Sequence, residues 1–446
     1  MNIQSSIFNK KIIIHLLSSL WIMFGFAALA HAVPNIQTAS LNNGLKILLV
    51  EAHNVPMVSM QLSMPSGSRF DPSNKAGTAS ILAALLGDHT AKHDDKAWAE
   101  WLDSEALRLG ASASRDTLNI SLTVVKESLP VGLDAFSEAL LQPGWDKKRF
   151  NILREDRIAA ATKAQEEPSV LAAQSTAKLL YDKHGYGHRT SGTAKSLAHI
   201  QLVDLKNLYQ QQIQPQGSVL AVSGDITMAE ILALLTPRLK TWQGTPHISA
   251  LDIAMPSIVQ GQTIQVEMPT SQALVQFSRL GITRSNDDFF PLFVMNHLLG
   301  GGGFGSRLME EVREKRGLVY GVYSYFIPLA APGPFVITLQ TQAKQADQAA
   351  DVVRDVMQRL ADGNVTKTQL KASKNNLIGS FAQRMDSNRE RVGLLSMIGF
   401  YQMPLDYLKH WTASVESVTL ADVKRVAKVY LQADDWNMLQ VGPTKE

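Results

Sequence analysis

Apolar residues crowd two short runs near the start of the chain, 45–51 and 57–64, with a turn between them. Residues 263–268 followed by 273–282 repeat the arrangement. Runs of this length bounded by turn residues predict strands. Elsewhere, apolar positions recur three and four residues apart, which predicts helices over 151–165, 170–181, 345–360 and 366–384. Strands open and close each half of the chain and helices fill its middle. That order predicts an α+β fold with two similar halves, each a mostly antiparallel sheet with helices packed on one face.

The halves also match residue by residue. Leu202, Asp204, Lys206, Gln214 and Gly224 stand opposite Leu420, Asp422, Lys424, Gln432 and Gly442 at one constant offset. Each copy reads as an amphipathic helix followed by a strand that ends at a glycine turn. The domains expected are 33–243 and 262–446. Residues 244–261, with Pro246 and Pro256 and little periodicity, form the linker.

Composition then narrows the setting. Lys10 and Lys11 precede a mostly apolar run over 12–30, and Ala30-His31-Ala32 places small residues two apart. This is the layout of a secretory signal peptide over 1–32, cleaved after Ala32, and the absence of Arg argues against a mitochondrial transit peptide. The rival reading is an uncleaved membrane anchor, since the run is nearly long enough to span a bilayer. No later segment has the ~18 unbroken apolar residues of a spanning helix, so the mature chain is expected to be soluble. The sequence contains no cysteine, which excludes disulfides, thiolate catalysis and thiolate metal sites. A Gram-negative periplasm fits best. The net charge is only +3 and its cations are dispersed, so no nucleic-acid partner is expected.

Several motifs point to one family. They are Asn43-Gly-Leu-Lys46, Val55-Pro-Met-Val58, the stretch 67–86, His184-Gly-Tyr-Gly187 with Gly192-Thr193, Leu298-Leu-Gly-Gly-Gly-Gly303 with Ser306-Arg-Leu308, and Glu311-Val-Arg-Glu-Lys-Arg-Gly-Leu-Val-Tyr320. Together they make nearly the whole mature chain resemble the M16 peptidases, the pitrilysin and mitochondrial processing peptidase-like enzymes. The resemblance implies the M16, LuxS/metallohydrolase-like fold. It also implies an inverted zinc motif, His-x-x-Glu-His, on the helix that begins near Gly77, with a Glu on a second helix as third ligand. Two imidazoles one turn apart hold the metal and the carboxylate polarises its water. Here those positions are Ser80, Ala83 and Ala84, and the third ligand falls near Ala159 or Ala160. No catalytic residue and no metal ligand is therefore expected, and zinc is expected only in a partner subunit.

Other histidines do not rebuild a site. His89 and His93 are four apart, but Lys92 lies between them and Asp94-Asp95 follows, so a solvated polar loop is expected. His184 and His188 have Gly185 and Gly187 between them, which predicts a structural turn. The glycine run 300–303 lacks the Gly-Lys-Ser/Thr ending of a phosphate loop and reads as a flexible loop. A helix over 289–299 precedes it. A second helix follows from 306 to about 316, capped by Gly317, and then a strand over 318–326. The resemblance implies that Arg313 and Tyr320, seven apart, contact the substrate backbone. A guanidinium and a phenol are sound donors to peptide carbonyls. Read without the resemblance, Arg313 is a surface charge and Tyr320 a sheet-packing residue; Arg316 and Tyr323 are the fallback pair.

The function expected is a non-catalytic subunit that binds peptide and completes the chamber of a heteromeric zinc peptidase. Its partners would be a catalytic M16 subunit carrying His-x-x-Glu-His and the peptide itself, with a homodimer as a further assembly. The alternatives are a free-standing periplasmic peptide-binding or assembly protein, and a peptidase using an unrecognised site. The resemblance also implies that extended peptide adds as a strand to a sheet edge in the first half.

Overall fold

Two antiparallel-rich sheets carry the described residues, which in this computed structural model are 34–249, 251 and 253–443. The leader expected over 1–32 lies outside them. The first sheet has the order β1-β2-β6-β3-β5-β4, from Gln37–Ser40 (β1), Lys46–Glu51 (β2), Met57–Met64 (β3), Arg108–Ala113 (β4), Leu118–Val125 (β5) and Val219–Gly224 (β6). The second has the order β7-β11-β8-β10-β9, from Thr263–Glu267 (β7), Gln272–Leu280 (β8), Val322–Phe326 (β9), Pro334–Gln342 (β10) and Asn437–Gly442 (β11). Apart from the extra strand β1, the order repeats. One parallel pair, β2 with β6 or β7 with β11, is followed by antiparallel neighbours.

Helices fill the middle of each half, and in the first half one more follows the last strand. In the first these are Thr78–Asp88 (α1), Asp95–Ser104 (α2), Leu129–Leu141 (α3), Lys147–Lys163 (α4), Pro168–Tyr181 (α5), Ala194–Ala198 (α6), Leu202–Gln212 (α7) and Met228–Arg238 (α8). In the second they are Phe289–Asn296 (α9), Ala346–Ala361 (α10), Lys367–Phe381 (α11), Asn388–Phe400 (α12), Tyr407–Ser417 (α13) and Leu420–Tyr430 (α14). The sequence repeat lands on α7 with β6 and on α14 with β11, whose bounds differ by the same offset. Both helices start at a capping box, closed by Asp204 and Asp422. No helix among the described residues is long and apolar enough to cross a membrane.

Period-two alternation sorts each strand into two faces. On the first sheet, Ile47, Leu49, Met60, Leu62, Ile120, Leu122, Leu220 and Val222 join α1, α3, α7 and α8 in one core. Leu48 and Val219 point the other way and are equally buried, because α12 of the second half covers them. Gly399 lets α12 come close: a Cβ there would overlap Val219 Cγ1 and lie 3.2 Å from Leu48 Cδ1. Gln61 Nε2 donates to Ser396 Oγ at 3.1 Å, and Ser223 Oγ donates to Asn388 Oδ1 at 3.1 Å. The exchange is mutual. Helix α5 of the first half packs on β8 and β11, with Leu171 and Ala172 against Leu274, Leu439 and Val441. Helices therefore cover one face from within each half, and part of the other face from the opposite half.

The linker is irregular but anchored. His184 Nε2 donates to Ala254 O at 2.8 Å, Arg69 Nη2 to Ser249 O at 3.2 Å, and Asn437 Nδ2 to Val259 O at 2.7 Å. A buried carboxylate, Asp116, also joins the halves. It accepts from the hydroxyls of Tyr186 and Tyr401 (the latter at 2.9 Å) and from Ala330 N at 3.1 Å. Burial, reinforced by this negative charge, pushes both phenols well above their usual range.

Candidate functional site

Helix α1 starts where Asp71 turns its carboxylate onto the orphan N–H groups of Gly77 and Ala79, at 2.7 and 2.8 Å. Burial of that carboxyl raises its pKa to about 7. Ser80 and Ala84 lie one turn apart, half-buried, with Ala83 buried beside them. Helix α4 packs against α1 and turns Phe150 and Ala161 into the shared core. Ala160 is exposed, so the buried α4 residue in this register is its neighbour Ala161. The four positions Ser80, Ala83, Ala84 and Ala160 offer one hydroxyl among them, and Ala161 adds no donor. These residues do not fit a zinc ion, whose sites need three or four N, S or carboxylate ligands. Among the described residues, no group of three or more potential ligands is placed to hold a metal.

An ion pair joins the ends of this helix pair instead. Arg149 of α4 donates through Nε and Nη2 to the Asp88 carboxylate at 2.9 and 2.5 Å, and reaches Asp95 at 3.0 Å. Burial disfavours the charged Asp88, but hydrogen bonds from His89 and Arg149 and their charges outweigh it, and the carboxyl titrates at about 2. The expected solvated loop at His89 and His93 is corrected here. His89 is buried, with Nδ1 donating to Asp88 at 2.9 Å. His93 stacks on Trp101 and bonds Glu138 at 2.8 Å. The buried Glu138 carboxylate, which also accepts from Thr90 Oγ1, folds the segment inward. His184 and His188 do lie in a turn. Tyr186 N donates to His184 Nδ1 at 3.1 Å, and His188 Nδ1 donates to Arg189 O at 3.2 Å.

Arg313 and Tyr320 are brought together. The Arg313 guanidinium lies 5.5 Å from the Tyr320 ring centroid and 4.8 Å from that of Phe304. Both rings face solvent, at 89% and 67% exposure. The neighbouring cations are neutralised, Lys315 by Glu310 and Glu311 and Arg316 by Glu311, all at 2.8 Å. Arg313 has no acidic partner among the described residues. Among the described residues no hydrogen bond or cation–π contact pairs Arg316 with Tyr323, and Arg316 is engaged by Glu311. Phe304 escaped sequence reasoning; its signal was a lone aromatic directly after four glycines.

The backbone around this cluster departs from regular helix. Helix α9 ends at Asn296 and passes into a π-wound turn, His297–Gly301, and a second π-wound segment spans Met309–Glu314. Gly317 takes φ +62°, the cap expected of it. The strand expected from 318 begins only at Val322, because Leu318 and Val319 are drawn into the core. Gly300 approaches Ser324 N so closely that a Cβ would lie 2.6 Å away. Asn296 Nδ2 donates to Ser324 O at 3.3 Å. The outer edge of β9 is thereby covered at Ser324.

The corresponding edge of the first sheet, β4, is open. The hairpin bond from Ser114 N to Thr117 O and the β4–β5 register turn the N–H and C=O groups of Leu109, Ala111 and Ala113 away from β5. Among the described residues, no backbone hydrogen bond reaches those three from outside the sheet. Helix α1 runs alongside, with Gly87 beside Ala111 N.

Comparison with known proteins agrees with this geometry. Residues 46–193 match the family model described as insulinase (peptidase family M16), and residues 199–377 match the peptidase M16 inactive domain. The crystal structure of a peptidase M16 inactive domain from Pseudomonas fluorescens superposes with a TM-score of 0.87 at 32% identity, over 92% of this chain and 98% of that one. The non-peptidase homolog YmxG of Helicobacter pylori is 24% identical over 98% of this chain and 99% of its own length. A protease structure from Helicobacter pylori shares the fold, with a TM-score of 0.85 at 19% identity over 92% of this chain and 100% of that one. The chain belongs to the M16 peptidase family, and is an inactive, non-peptidase member of it.

Proposed function

We propose that this chain is the non-catalytic subunit of a heteromeric M16 peptidase in the periplasm, where it binds peptide and completes the chamber of a zinc-bearing partner. The observation that carries the reading is the α1–α4 pair. The two helices pack against each other, and at the positions where the family resemblance implies ligands and base they present Ser80, Ala83, Ala84 and the Ala160–Ala161 step. Two features support peptide binding. The open edge of β4 can accept an extended backbone as an added strand, and Arg313 with Tyr320 presents solvent-facing donors to peptide carbonyls. Zinc is assigned to the partner alone.

The test is affinity capture from the periplasm, followed by assays of the separate and mixed chains. The reading expects an M16 chain carrying His-x-x-Glu-His to co-purify, and chelator-sensitive proteolysis to be high only in the mixture. Cleavage by the pure chain with one bound zinc would overturn it. A second reading, a free-standing peptide-binding protein, is favoured by one observation: the β4 edge is complete within a single chain. It predicts peptide binding with no co-purifying peptidase.

A further inference from the structure

Helix α12 covers β2, β6 and part of β3 on the second face of the first sheet, and stops short of β5 and β4. A groove of about 930 Å³ opens over the uncovered strands, with the start of α12 as its wall. Its floor is the outward set of three strands: Ser59 and Gln61 of β3, Ser121 and Thr123 of β5, and Gly110 and Ser112 of β4. These side chains are short and uncharged. A Cβ at Gly110 would meet no atom within 4 Å, so the space above the sheet is open at this edge.

The rim is charged. Arg108 of β4 and Arg389 of α12 are exposed, and neither has an ion-pair partner among the described residues. Arg391 also lines the groove; its donors go to Met385 O, Asp386 O and Asn388 Oδ1. Among the described residues that line the groove the carboxylate is Asp386, and the nearby Glu390 is turned into the capping box with Ser387. The two unpaired guanidiniums, Arg108 and Arg389, thus stand at a rim whose acid is already held by Arg391 through its backbone, which favours an anionic occupant.

The groove adjoins the open edge of β4, and side chains of a strand added there alternate between the two faces of the sheet. One set points toward the side of α1. The other set lies over the second face, beside Arg108, Gly110 and Ser112. Resting on the peptide-binding reading above, we infer that this groove reads the peptide, selecting sequences with acidic side chains at alternate positions. Arg108 and Arg389 are the specificity-determining residues.

Fluorescence anisotropy with the full chain and labelled peptides of about ten residues tests this, with Thr at one alternate set and Glu, Gln or Lys at the other. Solvent-exposed charge pairs are individually weak and are screened by salt. The Glu peptide is therefore expected to bind about fivefold more tightly than the Gln peptide at about 50 mM salt, with the gap closing near 0.5 M. The Lys peptide is expected to bind most weakly. Arg108→Gln with Arg389→Gln should remove the preference, so that the Glu and Gln peptides bind the variant equally. Equal affinity for the Glu and Gln peptides overturns the inference while leaving peptide binding intact, as does a preference that survives the double substitution. Failure of all three peptides to bind overturns the peptide-binding reading, and this inference with it.

Discussion

Arg313 differs from the cations around it in having aromatic rather than acidic neighbours. Between Phe304 and Tyr320 it keeps its donors free, which suits a residue that engages a peptide carbonyl. Loss of one such donor costs roughly 1–3 kcal/mol where the interaction is made at the reacting group. Arg313→Ala is therefore expected to lower kcat/KM of the two-chain mixture about tenfold or more, with the complex still forming on a sizing column. An unchanged rate would return Arg313 to the bland reading of a surface charge. Asp88 provides a pH test. Its folded pKa, about 2, lies below the ordinary carboxylate value, so its contribution to stability is fully present above about pH 4 and is lost as pH falls toward 2. Arg149→Ala should lower stability by about 2 kcal/mol at neutral pH and flatten that acid limb in urea melts. That Ser80, Ala83, Ala84 and Ala160 carry no imidazole or carboxylate was legible in the sequence, because it is a matter of residue type alone. The Asp88–Arg149 pair was not legible, since it depends on two helix ends meeting 61 residues apart.

At the scale of elements, the four helices expected from periodicity all form, each within a few residues of its expected bounds. The misreadings share a cause: tertiary packing overrode local pattern. Helix 289–299 winds into a π turn because Gly300 must press against Ser324. The strand starts late because Leu318 and Val319 are needed inside. The same packing explains why β9 is covered at Ser324 while β4 is open, a difference no strand sequence reveals by itself. Helix α12 carries the sharpest prediction at this scale. Gly399→Val would drive a branched side chain into Val219 and Leu48, neither of which can yield far in a sheet interior. Overpacking of this kind costs about 1–3 kcal/mol, read as a lowered urea midpoint with unchanged slope. Gly393→Ala is the control, because its Cβ would meet nothing within 4 Å and should be tolerated.

At the scale of the whole molecule, the repeat in the sequence suggests two separable halves, whereas α5 and α12 cross between them. Each sheet has a buried second face only because the opposite half supplies a helix. Asp116 adds a polar tie that takes hydroxyls from Tyr186 of one half and Tyr401 of the other. A chain ending at residue 243 would leave Leu48 and Val219 facing water, each costing about 1.5–3 kcal/mol of lost burial, and would strand α5 without β8 and β11. Domain stabilities are commonly only about 5–15 kcal/mol, so deficits of that order on both sides of the interface leave little reserve. The segment 35–243 alone is therefore expected to show no cooperative thermal transition. The same segment co-expressed with 262–443 should reassemble, because the exchanged helices find their sheets without the linker. A single sharp transition in the isolated first half, near that of the intact chain, would show that α12 is an ornament rather than part of its core. In the proposed chamber, a wall built this way would have a physical use for such an exchange: the two halves resist opening by sharing hydrophobic contacts, not merely a linker.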